Sequence, residues 1–195
     1  MTPSTTTRHR ELIKKLFEEH ADFLYNYAIT RVKEHHLAED LVQETYIAAL
    51  KNIGTFEGRS RPTTWLIAIL KNKIIDYIRK RVRSLNEQSL DALERADDFF
   101  TEQGKWKDAH KPGELRFDKG NPMEREEFQR VLKACLGHLK ELHRLTFILK
   151  YIEGEETETI CQELKITASN YWVIIHRAKL QLRECLEKNW LTITR

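Results

Sequence analysis

The spacing of apolar residues predicts helices along most of the chain. From Glu11 to Lys51 they recur at helical intervals, which predicts two or three helices. The stretch 52–60 contains two glycines and breaks the period, so we predict a loop there. Pro62 favours a helix start, and the next helix is expected to run to about Arg83. Its predicted buried stripe consists of Leu66, Ile67, Leu70, Ile74, Tyr77 and Ile78.

Helical spacing stops after residue 83 and returns at Met123, with several glycines and prolines in the polar stretch between. A structureless segment of that length is rare inside one compact domain, so we predict two domains and a tether. The expected fold class is all-α, with two small helical domains joined by a long flexible linker. The predicted ranges of first domain, linker and second domain are 8–83, 84–122 and 123–190.

Composition supports a helix-rich chain without a membrane segment. Of the 195 residues 41% are hydrophobic and 32% are charged, and glycine and proline are few. The first residues lack the apolar core of a signal peptide, and nowhere does a run of about 18 apolar residues occur. We therefore expect a cytoplasmic protein with no membrane partner.

The three cysteines are Cys135, Cys161 and Cys185. An odd number at wide spacing, without a CxxC pair, argues against a disulfide scaffold and favours reduced, partly buried thiols. A zinc site is the alternative, because Cys135 and His138 are one helical turn apart and His143 and His176 are available. Their spacing fits no standard zinc pattern, so we expect no metal and no cofactor.

Charge is distributed unevenly in the first domain. Residues 59–83 contain eight basic side chains against one acid, a net charge of +7, whereas residues 37–58 have a net charge of −3. Opposite charge on neighbouring segments suggests two different partners. The basic helix suits a phosphate backbone, and Phe56, Trp65 and Tyr77 are residue types that stack on unpaired bases. A solvated basic face over an aromatic core is the alternative.

The second domain contains the outline of a helix-turn-helix. Residues 155–164 have helical period, Lys165 and Ile166 make a short break, and Thr167 or Ser169 can cap the next helix. Such a pair places its second helix in the DNA major groove, although a plain helical hairpin has the same pattern. No nucleophile with a base, phosphate loop or paired carboxylates stands out, so we expect no enzyme.

Three segments taken together identify a family. They are AEDLVQETYIAALKNIGTFEG, RPTTWLIAILKNKIIDYIRKR and LHRLTFILKYIEGEETETICQELKITASNYWVIIHRAKLQLREC. In this order they resemble the extracytoplasmic-function (ECF) sigma factors of bacterial RNA polymerase, over about residues 8–83 and 124–187. The resemblance implies a sigma factor that directs core polymerase to promoters and opens the minus-ten region. A stand-alone helix-turn-helix regulator of duplex DNA is the alternative.

The resemblance also implies partners and contact residues. The acidic helix would bind the clamp helices of the largest polymerase subunit through Asp40, Gln43, Glu44 and Tyr46. The loop and basic helix would hold the single-stranded minus-ten element through Phe56, Arg59, Arg61, Trp65, Asn72, Lys73, Arg79 and Lys80. The second domain would contact the polymerase flap and duplex minus-thirty-five DNA, the latter through Ser169, Asn170, Trp172, Val173, His176, Arg177 and Lys179. A separate anti-sigma or recruiting protein would supply control.

Two further expectations concern the linker and the recognition helix. The family's linker threads the polymerase cleft, which would place Asp97 and Asp98 near nucleic acid, while an ordinary tether is the alternative. The recognition helix has few polar residues, so we expect weak minus-thirty-five selectivity. Trp172 either faces DNA or a protein, or packs near Ile160 and Leu164.

Overall fold

The chain forms two compact units, Met1–Arg81 and Val82–Arg195. The computed structural model describes residues 3–56, 59–84, 99–101, 106–110, 112 and 121–191. Within these ranges the regular elements are helices, and an isolated antiparallel bridge joins Phe100 to Trp106. The all-α fold class with two helical domains is thereby confirmed. None of the described helices combines the length and the apolar character that crossing a bilayer requires.

The described residues of the first unit form three α-helices, the third of which continues to Ser84, and one short turn. They are α1 (Pro3–Val32), α2 (His35–Asn52), the 3-10 turn Ile53–Thr55, and α3 (Pro62–Ser84). The reversal between α1 and α2 falls at Lys33, whose φ of 66° lies in the left-handed region that commonly ends a helix. The backbone N–H of Lys33 donates to the Ile29 carbonyl at 2.9 Å. The segment predicted to hold two or three helices therefore holds two.

The third helix confirms the predicted start and nearly the predicted end. Four residues of its predicted stripe are fully buried, namely Leu66, Leu70, Ile74 and Ile78. Ile75 is also buried, whereas Ile67 and Tyr77 are half-buried. The covered side is therefore turned slightly from the predicted one, and side chains such as Asn72 on the opposite side remain exposed.

After the 3-10 turn Asp108–His110, the described residues of the second unit form four α-helices followed by one π-helical turn. They are α4 (Pro122–His138), α5 (Glu141–Tyr151), α6 (Thr157–Leu164), α7 (Ala168–Leu186) and the turn Glu187–Leu191. The side-chain oxygen of Asn121 caps α4 by accepting from the Met123 N–H at 3.0 Å, and Pro122 occupies the first turn. The helical period predicted from Met123 onward is therefore confirmed, apart from the connections between the helices.

The predicted turn joins α6 to α7. Lys165 adopts a left-handed φ of 55°, and the Ile166 N–H donates to the Cys161 carbonyl at 3.0 Å. Thr167 then caps α7, because its hydroxyl accepts from the Asn170 N–H at 3.2 Å. The short connection and the cap at Thr167 match the helix-turn-helix outline read from the sequence.

The helices α4 and α7 share one hydrophobic core. Its buried members are Cys135, Leu136, Leu139, Ala178 and Leu182. The half-buried side chains of Val131, Leu132, Phe147, Cys185 and Leu186 pack against it. Trp190 in the π-helical turn is also buried, and its ring meets Phe128 edge-on at a centroid distance of 5.4 Å. The end of the described chain is thus held against α4.

The expectation of three reduced thiols is wrong for two of the cysteines. Cys135 on α4 and Cys185 on α7 form a disulfide, with their Cα atoms 5.7 Å apart. They are 50 residues apart in sequence, so only the packing of α4 on α7 brings them together. Cys161 on α6 is free and half-buried. Burial, with a smaller effect of the Glu158 carboxylate, raises the pKa of its thiol.

We predict that alkylation of the denatured, non-reduced protein modifies Cys161 and leaves Cys135 and Cys185 unmodified. Mass spectrometry after dithiothreitol should find all three modified. Reduction should also lower the free energy of unfolding by about 2–4 kcal/mol, because the cross-link restricts the unfolded chain. In the control Cys161→Ser, no cysteine should react before reduction. Modification of all three before reduction would contradict the disulfide.

Candidate functional site

The acidic face of α2 is formed by Asp40, Gln43 and Glu44, which are all exposed. Their spacing of three and four residues puts them on neighbouring turns of the same side. Tyr46, the fourth predicted polymerase contact, is half-buried, and its ring meets Phe17 of α1 edge-on at a centroid distance of 4.8 Å. Tyr46 therefore connects this face to α1, while the other three residues are available to a partner.

An exposed isoleucine adjoins the acidic face. Ile47 has 51% of its surface exposed and lies one turn beyond Gln43 and Glu44. The apolar pattern did not single it out, because an isoleucine in an amphipathic helix is ordinarily assigned to the core. The buried positions Leu41 and Thr45 leave residue 47 on the outer side of α2. A partner on this face would therefore meet both charge and an apolar side chain.

An ion pair joins the acidic helix to the basic one. Lys73 Nζ of α3 donates to Glu44 Oε2 of α2 at 2.8 Å. The two side chains keep 25% and 59% of their surface exposed, so the pair contributes at most about 1 kcal/mol to stability. Its importance is positional, because a predicted polymerase contact and a predicted DNA contact are direct neighbours.

An aromatic pair lies at the start of α3. The rings of Phe56 and Trp65 are 4.9 Å apart between centroids, at an interplanar angle of 35°, and both side chains are half-buried. Arg59 and Arg61, in the connection between these two residues, are exposed. The structure therefore pairs two aromatic rings and exposes two arginines in the connection between them, and these are residue types that bind stacked bases and phosphates.

The rest of α3 presents a mixed polar surface. Asn72 in the middle of the helix and Lys80 two turns later are exposed. Arg79 is half-buried and forms an ion pair with Asp76, the one acid in the segment 59–83. Arg79 is therefore held along the helix by Asp76, and Asn72 stands at the surface.

The first turns of α7 divide into an exposed side and a core side. Ser169 and Asn170 are exposed, and Val173 and Arg177 are half-buried. The core side is formed by the buried residues Ile174, Ile175 and Ala178. Only part of the predicted minus-thirty-five set is therefore fully open to solvent.

Trp172 faces outward and Tyr171 occupies the core. Tyr171 is 1% exposed, and burial raises the pKa of its phenol. Trp172 keeps 39% of its surface exposed, with ring centroids 5.3 Å from Tyr171 and 5.6 Å from His176. Helical spacing alone could not distinguish the two neighbouring aromatics, because either would place one ring against α6.

Part of the linker belongs to the second unit. The rings of Phe100 and Trp106 are 4.4 Å apart between centroids, and the Lys107 N–H donates to the Phe99 carbonyl at 3.0 Å. Asp97 and Asp98, the linker acids named from the sequence, lie outside the described residues.

His176 and Lys179, both predicted to contact DNA, are covered in the structure. His176 is buried, and its ring stacks on Phe100 at a centroid distance of 4.0 Å. The Lys179 ammonium lies 5.4 Å from the ring centroids of both Phe100 and Tyr151, and burial lowers the pKa of Lys179. Phe100 causes this difference from the expected groove-facing arrangement, and no periodicity predicted that a linker residue would return to α7.

The described residues do not assemble a metal site. Within residues 3–56, 59–84 and the later described ranges, no group of three or more histidine, cysteine or acidic side chains could hold a metal ion. Cys135, which was considered as a ligand with His138, is bonded to Cys185 instead.

Comparison with known proteins identifies both units. The family model of Sigma-70 region 2 matches residues 16–84, and that of Sigma-70, region 4 matches residues 129–182. The first match contains the acidic face and α3, and the second contains the helix-turn-helix. The stand-alone regulator considered from the sequence is therefore not favoured.

Individual relatives extend over nearly the whole chain. A "Probable RNA polymerase sigma factor" of Haemophilus influenzae is 38% identical over 165 residues, 85% of this chain and 84% of that protein. The ECF RNA polymerase sigma factor SigX of Bacillus subtilis is 29% identical over 181 residues, 91% of this chain and 84% of that protein. A solved structure of the sigma factor RpoE in complex with the anti-sigma factor NepR, from Bartonella quintana, is 24% identical, covers 90% of this chain and 97% of that one, and has a TM-score of 0.45. On the strength of the two family models and the sequence relatives, this chain belongs to the ECF sigma factors of bacterial RNA polymerase.

Proposed function

We propose that the first unit uses α2 to bind core polymerase and α3 to hold the melted minus-ten strand. The observation that carries this proposal is the separation of charge between two neighbouring helices. Asp40 and Glu44 are exposed on α2, whereas the segment 59–83 has a net charge of +7. A single nucleic-acid partner would be repelled by the acidic face, so the two faces suit a protein and a polyanion.

The polymerase partner is assigned to the clamp helices of the largest subunit. Charge complementarity with Asp40 and Glu44 would steer the approach, and Ile47 and Gln43 would add apolar and polar contact. Because Glu44 pairs with Lys73, a basic group on the clamp that engages Glu44 would release Lys73 toward DNA. The ion pair therefore supports a link between polymerase binding by α2 and DNA binding by α3.

The minus-ten contact is assigned to the aromatic pair and α3. Extruding a base from a duplex costs a few kcal/mol, which contacts in a preformed pocket have to offset. The Phe56 and Trp65 rings are already within 4.9 Å of each other, and Arg59 and Arg61 are exposed nearby. Asn72 would read a base edge, and Lys73, Arg79 and Lys80 would bind phosphate.

The second unit is assigned to the polymerase flap and to duplex minus-thirty-five DNA. Ser169 and Asn170 are exposed in the first turn of α7, and Asn170 carries the side chain suited to a bidentate contact with adenine. Arg177 would bind phosphate, and Trp172 and Val173 would contact thymine methyl groups or a protein. His176 is omitted from the base contacts, because Phe100 covers its ring.

At the level of the whole protein we propose a non-catalytic, cytoplasmic initiation factor that joins the nucleoid when active. Residues 8–83 would act as region 2, 84–122 as the linker in the polymerase cleft, and 123–190 as region 4. A separate anti-sigma or recruiting protein would control it, as the complex of RpoE with NepR illustrates for another sigma factor.

The double variant Asp40→Lys with Glu44→Lys is expected to abolish binding to core polymerase while the helical fold remains, because it reverses charge on an exposed face. Analytical gel filtration and surface-based binding with purified core enzyme would measure this. Glu126→Lys with Glu127→Lys makes the same charge change on exposed residues of α4 and should leave binding within about tenfold, 1.4 kcal/mol. Unchanged affinity of the first variant would remove α2 from the interface.

Asn72→Ala and Phe56→Ala are expected to impair promoter opening more than closed-complex formation, because both residues are assigned to the melted strand. Permanganate reactivity of the minus-ten thymines reports opening, and filter binding at low temperature reports closed complexes. Asn26→Ala, at an exposed asparagine of α1, is the matched control. Permanganate patterns identical to those of the wild type would contradict the assignment of these two residues to the melted strand.

Scrambling the minus-thirty-five sequence while keeping the minus-ten sequence should reduce transcription by less than about tenfold, 1.4 kcal/mol. The reason is that α7 presents few polar side chains, and each good bidentate base contact adds only about 1–3 kcal/mol of discrimination. Run-off transcription with purified holoenzyme measures the ratio. A larger loss would mean that α7 reads duplex DNA strongly despite its apolar residues.

A further inference from the structure

Part of the linker packs as a fixed element on α7. Phe100 is 3% exposed, although it lies in a polar stretch more than twenty residues before α4. The isolated bridge between Phe100 and Trp106 and the hydrogen bond from the Lys107 N–H to the Phe99 carbonyl hold two short segments of the linker together. Residues 99–101 with 106–107 are called the linker bridge below. A simple tether would leave the phenylalanine in water, where its apolar surface is unfavourable.

The linker bridge covers one side of α7. Phe100 stacks on His176 with an interplanar angle of 10° and lies 5.4 Å from the Lys179 ammonium. The Arg183 guanidinium is 5.5 Å from the Trp106 ring centroid. Residues 176, 179 and 183 are successive positions on one side of a helix, and each meets an aromatic ring of the bridge.

The aromatic contacts continue from the linker to the exposed start of α7. His176 has Phe100 against one part of its ring and Trp172 at a centroid distance of 5.6 Å. Trp172 is one helical turn before His176 and keeps 39% of its surface exposed. The rings of Phe100, His176 and Trp172 therefore form a continuous series of contacts from a buried linker residue to an exposed indole. Removing Phe100 would take away the ring that stacks on His176 and with it part of the support of the Trp172 indole.

We propose that Phe100 and Trp106 are positioning residues for duplex promoter recognition. Phe100 fixes the ring of His176 and through it the indole of Trp172, and Trp106 holds Phe100 in place. This inference rests on the proposed role of α7 in minus-thirty-five binding. It means that promoter selectivity in this factor depends on a linker segment as well as on α7.

The geometry favours positioning over shielding of the DNA-binding side. The linker bridge meets α7 at residues 176, 179 and 183, which extend from the middle of the helix toward its C-terminal end. Ser169, Asn170 and Trp172 in its first half remain exposed. The N-terminal part of a recognition helix is the part that meets base edges, so the bridge leaves that part accessible.

The experiment compares four variants of the full-length factor in holoenzyme. A promoter selected by the wild-type holoenzyme from a random library is transcribed beside a copy with a scrambled minus-thirty-five sequence. We expect the transcription ratio of the two templates to exceed unity for the wild type and to fall to unity for Phe100→Ala and Trp106→Ala. Trp106→Phe, which keeps an aromatic ring, should retain the wild-type ratio. Phe128→Ala removes the ring that meets Trp190 elsewhere in the same unit, and it should lower stability without changing the ratio.

A second readout follows the indole directly. In protein labelled with 5-fluorotryptophan, the Trp172 fluorine resonance is assigned by its loss in Trp172→Phe. Phe100→Ala should shift that resonance, and Phe128→Ala should leave it in place. An unchanged ratio and resonance in Phe100→Ala would overturn the inference, as would a raised ratio, which would mean shielding. A wild-type ratio of unity would instead overturn minus-thirty-five recognition by α7, and the positioning role with it.

Discussion

Burial of one side of α3 is the constraint on which the first unit depends. Leu66, Leu70, Ile74 and Ile78 are fully buried at intervals of four residues, and each contributes about 1.5–3 kcal/mol relative to exposure. Together they fix the rotation of the helix about its axis. That rotation leaves Asn72 and Lys80 at the surface and brings Lys73 to Glu44. The two interfaces proposed for this unit therefore both depend on how α3 packs. A rotation of α3 by a quarter turn about its axis would disrupt both.

The same reasoning explains the unusual recognition helix. The core side of α7 contains Tyr171, Ile174, Ile175 and Ala178, so its apolar composition serves packing more than DNA. What remains at the surface is a short polar start and one indole. The linker bridge then covers a further side, where the ring of Phe100 lies on His176. The core and the linker bridge enclose two sides of the helix and leave its exposed first turn and Trp172 to read bases, which agrees with the modest selectivity inferred from its sequence.

The linker and the disulfide show how domain boundaries read from periodicity can differ from physical units. Residues 84–122 lack helical period, yet the second compact unit begins at Val82 and includes Phe100 and Trp106. The Cys135–Cys185 bond joins α4 to α7. Both features restrict the second unit by contacts between residues far apart in sequence. They imply that the linker in this factor has a structural role on α7 as well as a connecting one.

The sequence by itself determined the helical class, the division into two helical parts, the start of α3 at Pro62 and a cap of α7 at Thr167 or Ser169, between which the structure selects Thr167. These depend on local periodicity, proline geometry and capping, which act within a few residues. The motif order also determined the family. Only the tertiary structure decided that Tyr171 and not Trp172 is buried, that Ile47 joins the acidic face, that Cys135 meets Cys185, and that Phe100 returns to cover His176. Those outcomes depend on which helix faces which, and a one-dimensional pattern contains no distance between residues that are dozens of positions apart.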